Sequence, residues 1–478
     1  MILVVVRASK HKRERSDLSR TNEGYDSYMK IGIVGWGVEG QSAFRFLGPH
    51  HEYLIVNEEP RQDFPPVSSS IKVQYLTSER SPGLTGNVAD LSYLDGLENC
   101  DQIIFTAPAT KNLEKKFGND ADFWIKAKTV MHLFFESVRT PNIIGVTGTK
   151  GKGTTSSLIF EILKTEGKKV YLGGNIGNSP LDFIDQIQPD DWVVLELSNF
   201  QLYSLIYSPH IAVCLMITPE HMDWHPNMED YVEAKANLFR HQKKDDIAIY
   251  LRDNEYSTKI AGYSPGQKIP FFKPPGAYVR KDGKIVIGDK EIIDKSDVKL
   301  LGEHNLQNIC AAVTAVWQVS QDAATMSKVL SEFTGLEHRL EFVRELDGVK
   351  YYDDSFGTTP DTAIVALKSF NQPKVIILGG SDKGAEFEKL AKYVKDSNVR
   401  HAIIIGQIAD KITLALAEAG FTDITTGLTS MTEIVNKAKQ LAQPGDVVLL
   451  SAATASFGLF KDYKDRGNQF KQAVSELA

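Results

Sequence analysis

The chain has 478 residues, 42% of them hydrophobic, which is enough for about three domains of ordinary size, each with its own core. With 54 basic and 61 acidic side chains spread along it and a formal charge of −7, it lacks the basic stripe of a general nucleic-acid binder. Cys100, Cys214 and Cys310 are too far apart for a disulfide framework or a zinc site, and no stretch approaches the roughly 18 apolar residues of a membrane span, so a cytoplasmic protein with neither nucleic-acid nor membrane partners is expected.

The apolar run 2–6 is too short for a signal-peptide core, and residues 1–28 read as a disordered extension or as an artefact of a start codon placed upstream of Met29. From residue 30 onward, apolar runs alternate with Gly or Pro punctuation and helix-period segments, the pattern of parallel α/β domains. The first block has strands expected at 31–34, 53–56 and 102–105. The second has them at 142–146, 192–195 and 211–216, and ends in a helical pattern over 311–330. The third, from about 336, has them at 374–378, 402–405 and 446–450. Boundaries are expected near 125 and 335.

Gly35-Trp-Gly-Val-Glu-Gly40 follows the first strand and opens a helix expected over 41–47, a dinucleotide-type turn that suits any diphosphate. Asn57 and Glu58 stand about 20 residues on, where such folds place a sugar-binding group. A tight turn without a ligand is the alternative. In the second block, residues 145–155 read Gly-Val-Thr-Gly-Thr-Lys-Gly-Lys-Gly-Thr-Thr between a strand and a helical pattern over 156–163. Glycines let successive N–H groups converge on phosphate oxygens, and Lys152 neutralises the terminal phosphates. Gly153 stands where a hydroxyl normally follows the lysine, so Thr154 is expected to face magnesium.

Glu196, Ser198, His221 and Lys235 form the second block's polar set, and a carboxylate with an imidazole suits a magnesium site beside a triphosphate. Each taken alone reads more readily as structural or solvated, and only their joint occurrence points to a metal site. In the third block Asp354 and Thr358 lie in a turn after an apparent strand, with Asp354 suited to a nucleotide group and Thr358 to a carboxylate.

Nine fragments in one order resemble the Mur ligase family, and within it the members that add glutamate to a UDP-muramoyl substrate. They are G-T-x-G-K at 148–152, G-N-I-G at 174–177, L-E-L-S-x-F-Q-L at 195–202, E-H-M-D at 220–223, A-K at 234–235, G-x-H-N-x-x-N-x-x-A-A at 302–312, H-R-x-E at 338–341, D-S at 354–355 and S-F-x-x-F-x-x-Y-x-x-R-G at 456–467. The resemblance implies a Rossmann-like UDP-substrate domain at 29–125, a central P-loop ATPase-like parallel sheet at 126–335, and a Rossmann-like amino-acid domain at 336–478. ATP and Mg2+ are the implied cofactors, UDP-N-acetylmuramoyl-L-alanine and D-glutamate the implied substrates, and a monomer the implied form. Gly148, Thr149, Lys150, Gly151, Lys152, Gly153, Thr154, Thr155, Asn308, Arg339 and Asp354 would meet ATP. Thr154, Glu196, His221 and Lys235, the last as a carbamate, would hold the metal, with Lys152, His221 and Lys235 central to catalysis. Gly35, Trp36, Gly37, Asn57, Glu58, Asn175 and Ser198 would meet the UDP-substrate, and Thr358, Lys383, Ser456 and Tyr463 the glutamate.

Two departures keep the amino acid open. Phe356 stands where many such enzymes have lysine, and Thr359 where they have asparagine, so an L-glutamate-adding relative is a live variant. The loop form also resembles folylpolyglutamate synthase, against which stands the whole domain before the loop. A non-catalytic nucleotide binder and a dehydrogenase built on residues 35–40 are the remaining alternatives.

Overall fold

The computed structural model describes residues 27–58, 60–61, 63–75, 91–300, 302, 304–381, 385–456 and 458–478; Lys383 and nearly all of the expected N-terminal extension lie outside them. The fold is α/β, and every apolar run expected to be a strand is one. The chain divides into two compact units, one running through Asp297 and including Leu306–Ser331, the other made of Val298–Asn305 and Glu332–Ala478.

The first unit holds two parallel sheets. Strands β1 (Lys30–Val34), β2 (Glu52–Asn57), β3 (Ile71–Tyr75), β4 (Gln102–Phe105) and β5 (Ala127–Thr129) lie in the order β3-β2-β1-β4-β5. The order reverses beside β1, so the glycine turn that leaves β1 sits at the switch point where such sheets take ligands. The second sheet, β6 (Ile143–Thr147), β7 (Val170–Gly174), β8 (Trp192–Glu196), β9 (Ile211–Cys214), β10 (Ile247–Leu251) and β11 (Gln267–Phe271), runs β11-β10-β9-β6-β8-β7. β6 is therefore flanked by β8 and β9, whose carboxyl ends carry Glu196 and the 215–218 turn to either side of the glycine loop.

One apolar core is continuous between these sheets: Ile33, Trp36 and Tyr53 from the first belong to the same cluster as Phe134, Leu181, Leu195 and Leu238. At its rim the Arg45 guanidinium meets Asp182 at 2.8 Å, and the Gln201 amide donates to Glu39 at 2.8 Å. A three-stranded antiparallel sheet, β12 (Tyr278–Val279), β13 (Lys284–Ile287) and β14 (Lys290–Asp294), completes the unit and was not anticipated.

The second unit has β15 (Glu341–Leu346), β16 (Val349–Asp353), β17 (Lys374–Gly380), β18 (Val399–Gly406), β19 (Ile424–Thr425) and β20 (Val447–Leu450) in the order β15-β16-β20-β17-β18-β19, parallel except for the β15–β16 hairpin. Along β17, Val375 and Ile377 enter one core while Ile376 and Leu378 enter the other, the two-sided burial that makes a parallel strand read as a continuous apolar run.

The expected helical stretch over 311–330 is two helices, His304–Trp317 and Ala323–Glu332. Asp322 separates them, its carboxylate accepting from the Ala324 and Thr325 amides at 3.1 Å and so capping the second helix. β9 stops at Cys214 rather than 216 because the Met216 carbonyl turns to accept from Thr149 N at 2.8 Å. Among the described residues no helix is long and apolar enough to cross a membrane.

Candidate active site

The phosphate-type loop begins later than the sequence suggested. Gly145 lies inside β6, where a Cβ would stand 2.7 Å from Pro209, so it serves strand packing. The loop proper runs from Gly148 (φ 152°) to Gly151 (φ 85°), both in the region that favours glycine. A Cβ on Gly151 would stand 2.1 Å from Asn308 Oδ1, which places Asn308 against the loop. Substituting Gly151 by alanine is expected to cost about 1–3 kcal/mol in stability and to raise the KM for ATP, read by thermal unfolding and ATP titration; an unchanged Tm and KM would show the loop to be tolerant there.

Gly151 caps the helix Lys152–Thr165, whose first turn holds Gly153, Thr154 and Thr155, all buried, while Lys150 is exposed. Lys152 Nζ folds back to donate to Gly148 O at 3.1 Å and Thr149 O at 3.0 Å. Thr149 Oγ1 donates to Thr218 O at 3.0 Å, accepts from Thr218 N at 2.9 Å and lies 3.1 Å from the Tyr231 hydroxyl, pinning the loop to the chain after β9.

Lys235 reaches the same place from the helix Met228–Arg240. Only 1% exposed, its Nζ donates to Gly148 O at 3.0 Å, so two lysines meet on one carbonyl. Burial, and then the charge of Lys152, push the Lys235 ammonium down to about 7, against the opposing pull of Cys214, Glu220 and Glu196. Glu196 ends β8 and accepts from Asn175 Nδ2 at 2.9 Å, while Asn175 N donates to Glu196 O at 2.8 Å. Ser198 caps the short helix Asn199–Leu202, its Oγ accepting from Gln201 N at 3.2 Å. His221, at φ 58°, heads a turn in which its carbonyl accepts from Trp224 N and His225 N, and its ring lies 4.9 Å from Phe200.

At the first sheet's switch point Gly35 has φ 92°, and Gly37 caps the helix Val38–Leu47, which starts before the expected residue 41. Trp36 N donates to Asn57 Oδ1 at 2.8 Å and its indole N–H to Asp63 O at 2.9 Å, while the ring packs in the core beside Phe44. Asn57 thus shapes the turn, and Glu58 is exposed. Glu39, in the first helical turn, is half-buried and accepts from the Gln201 amide, and desolvation raises its pKa.

In the second unit Asp354 follows β16, which extends through Asp353. Its carboxylate accepts from Ser451 Oγ at 2.7 Å and Leu340 N at 3.2 Å, and burial pushes its pKa up to about 7 against those bonds and Arg339. The Arg339 guanidinium stands 5.1 Å from the Phe356 ring, which meets Tyr463 edge-on at 5.2 Å. Thr358 is half-buried beside Thr359, the cap of the helix Pro360–Lys368, and Ser456 is buried. Arg466, the arginine of the 456–467 fragment, was given no role by sequence. Fully buried, it donates to Ser355 Oγ and O at 2.8 Å and to Thr454 O at 3.2 Å, joining the Asp354 turn to the one before Ser456. Its signal was a cation inside the otherwise apolar face that Phe470 and Val474 continue.

Residues 146–316 match the family model of the Mur ligase middle domain, and 338–454 that of the Mur ligase, glutamate ligase domain. The UDP-N-acetylmuramoylalanine–D-glutamate ligase of Caldicellulosiruptor saccharolyticus is 34% identical over 467 residues, covering 94% of this chain and 99% of that protein. The Clostridium acetobutylicum protein of the same name is 38% identical over 467 residues, covering 94% and 96%. Among solved structures, the MurF ligase from Thermotoga maritima in complex with ADP shares the fold, with a TM-score of 0.54 and 17% identity over 97% of this chain and 100% of its own.

Proposed function

This chain belongs to the Mur ligase family, and from that premise we propose that it joins D-glutamate to UDP-N-acetylmuramoyl-L-alanine, with ATP cleaved to ADP and phosphate, in cytoplasmic peptidoglycan precursor synthesis. The observation that carries the reading is the meeting of Lys152 and Lys235 on the Gly148 carbonyl, at the mouth of a glycine loop that opens a helix.

A carboxylate is a poor electrophile, so its oxygen first attacks the γ-phosphorus of ATP and ADP leaves. Lys152 stabilises the charge on the phosphoryl oxygens, and Gly148, Lys150, Gly151, Gly153 and Thr154 are assigned to the phosphates through backbone N–H and hydroxyl groups. Thr149, whose N–H and hydroxyl are taken by Met216 O and Thr218 O, and Thr155, whose N–H is taken by Gly151 O, shape that cradle. The amine of glutamate then attacks the acyl phosphate, losing a proton, and phosphate departs as the amide bond closes. Asn308, Arg339 and Asp354 are assigned to the nucleotide. Asn175, Ser198 and the turn of Gly35, Trp36, Gly37, Asn57 and Glu58 are assigned to the UDP-substrate, and Thr358, Lys383, Ser456 and Tyr463 to glutamate.

The donor set of Thr154 hydroxyl, Glu196 carboxylate and His221 imidazole fits Mg2+, and Lys235 joins it as a carbamate, since the low basicity of its amine favours reaction with CO2. Bound there, magnesium would supply positive charge to the phosphoryl oxygens.

An L-glutamate-adding variant is favoured by one observation, the exposed Phe356 ring carrying Arg339 where a lysine was expected. Phosphate release with UDP-N-acetylmuramoyl-L-alanine, ATP and Mg2+ separates the two. A preference for D- over L-glutamate of about 100-fold or more is expected, equivalent to roughly 3 kcal/mol of discrimination. Equal rates, or turnover only with a folate acceptor, would overturn the proposal.

A further inference from the structure

The turn that carries His221 is held by a side chain to which no role has yet been given. His225 is 1% exposed, with Nδ1 2.6 Å from Asp230 Oδ2 and Nε2 2.8 Å from Asn199 Nδ2, and its backbone N donates to His221 O at 2.9 Å. A carboxylate only accepts and the Asn199 amide nitrogen only donates. A neutral ring with its proton on Nδ1 therefore satisfies both partners at once.

Those partners lie on different elements. Asn199 begins the short helix directly after Ser198, three residues beyond Glu196, and Asp230 is in the first turn of the helix that carries Lys235. Phe200, Tyr203, Trp224 and Tyr231 surround the imidazole with ring centroids 4.6 to 6.4 Å away, and exclusion of water strengthens hydrogen bonds inside such a wall. Tyr231 also reaches Thr149 Oγ1, so the wall extends to the phosphate loop.

We infer that His225 is a positioning residue that fixes the end of β8, the His221 turn and the Lys235 helix in one register, and so sets the spacing of the metal-binding groups. The inference rests on the proposed metal roles of Glu196, His221 and Lys235. His225 itself touches neither metal nor substrate; it acts as the outer hydrogen-bonding layer that orients metal ligands generally does.

Three variants test it in the full-length enzyme. His225→Leu removes both side-chain bonds, His225→Gln keeps one donor and one acceptor, and Asp230→Ala removes one anchor at a side chain that is 29% exposed and so tolerant of change. Mn2+ binding in the presence of ATP, followed by electron paramagnetic resonance, and the Mg2+ dependence of phosphate release are measured beside Tm. His225→Leu is expected to weaken metal binding about 10- to 100-fold, with excess Mg2+ restoring much of kcat, and His225→Gln to fall between it and the parent. Asp230→Ala is expected to shift metal binding in the same direction by about 3- to 10-fold, and carries the test if His225→Leu does not fold. Lowered Tm with unchanged Mn2+ affinity in the folded variants would make His225 a packing residue and overturn the inference. Glu196→Gln runs in parallel: unchanged metal affinity there overturns the metal assignment together with the inference, whereas weakened affinity in Glu196→Gln but not in the His225 and Asp230 variants overturns the inference alone.

Discussion

Replacement of Lys152 by alanine will stop phosphate release, with kcat lowered by about 10³-fold or more at saturating ATP. The Lys152 ammonium already sits on two carbonyls of the glycine loop, so it is poised before any ligand arrives and loses little entropy when phosphate oxygens replace one of them. Its removal deletes a positive charge where the transferring phosphoryl group carries several negative ones, and among the described residues no other lysine donates to Thr149 O. Lys152→Arg is not expected to restore activity, because a planar fork does not fit a niche shaped around a single nitrogen. A kcat within tenfold of the parent would remove the loop's assigned role. The substitution has a second consequence: Lys152 is one of the groups that lower the Lys235 pKa, so Lys235 will hold its proton more tightly in the variant.

Lys235→Ala is expected to lower turnover by a comparable factor and, unlike Lys152→Ala, to be partly rescued by formate or acetate. The argument is one of protonation. An ordinary lysine is only about 0.1% neutral at pH 7.5, whereas a group with pKa near 7 is mostly neutral there. Only the neutral amine attacks CO2, forming a C–N bond and releasing a proton. As the pH rises through 7 the reactive form therefore increases, and below it the form is lost. The resulting carbamate is a carboxylate on a long stem, and a short free carboxylate fits the space left by its deletion. Absence of rescue at any carboxylate concentration would count against the carbamate while leaving the phosphate-loop assignments standing.

Much of this was legible in the sequence. Strands buried on both faces are runs of Val, Ile, Leu and Gly unbroken by polar residues, so β1, β6, β17 and β20 announce themselves, and glycines with no conformational alternative mark the loop after β6. Less legible were features decided by competition or by distant partners. Apolar spacing continues through Val316 and Val319, yet the first helix ends at Trp317 and Asp322 caps the start of a second. β13 and β14 are short and each opens on a lysine, and Asp282-Gly283, a hairpin-type signal, is easily passed over inside a chain of parallel α/β units. Arg466 lay within the 456–467 fragment and His225 two residues beyond the 220–223 one, yet their partners, Ser355 for the first and Asn199 for the second, are 111 and 26 residues away. The identity of a residue is written locally; its hydrogen-bond partners are written by the fold.

The apolar core shared by the first two sheets bears on how this chain could have changed through descent. Trp36, Tyr53, Phe134 and Leu181 are one packing problem, closed at its edge by Glu39 with Gln201 and Arg45 with Asp182. The segment that carries β1 to β5 is therefore not a detachable cassette. A lineage acquiring a new acceptor specificity by recombination would have to bring the matching face of the central sheet with it, whereas point changes in the glycine turn leave that face intact. Diversification of the acceptor end is expected to proceed residue by residue within a fixed partnership of the two sheets.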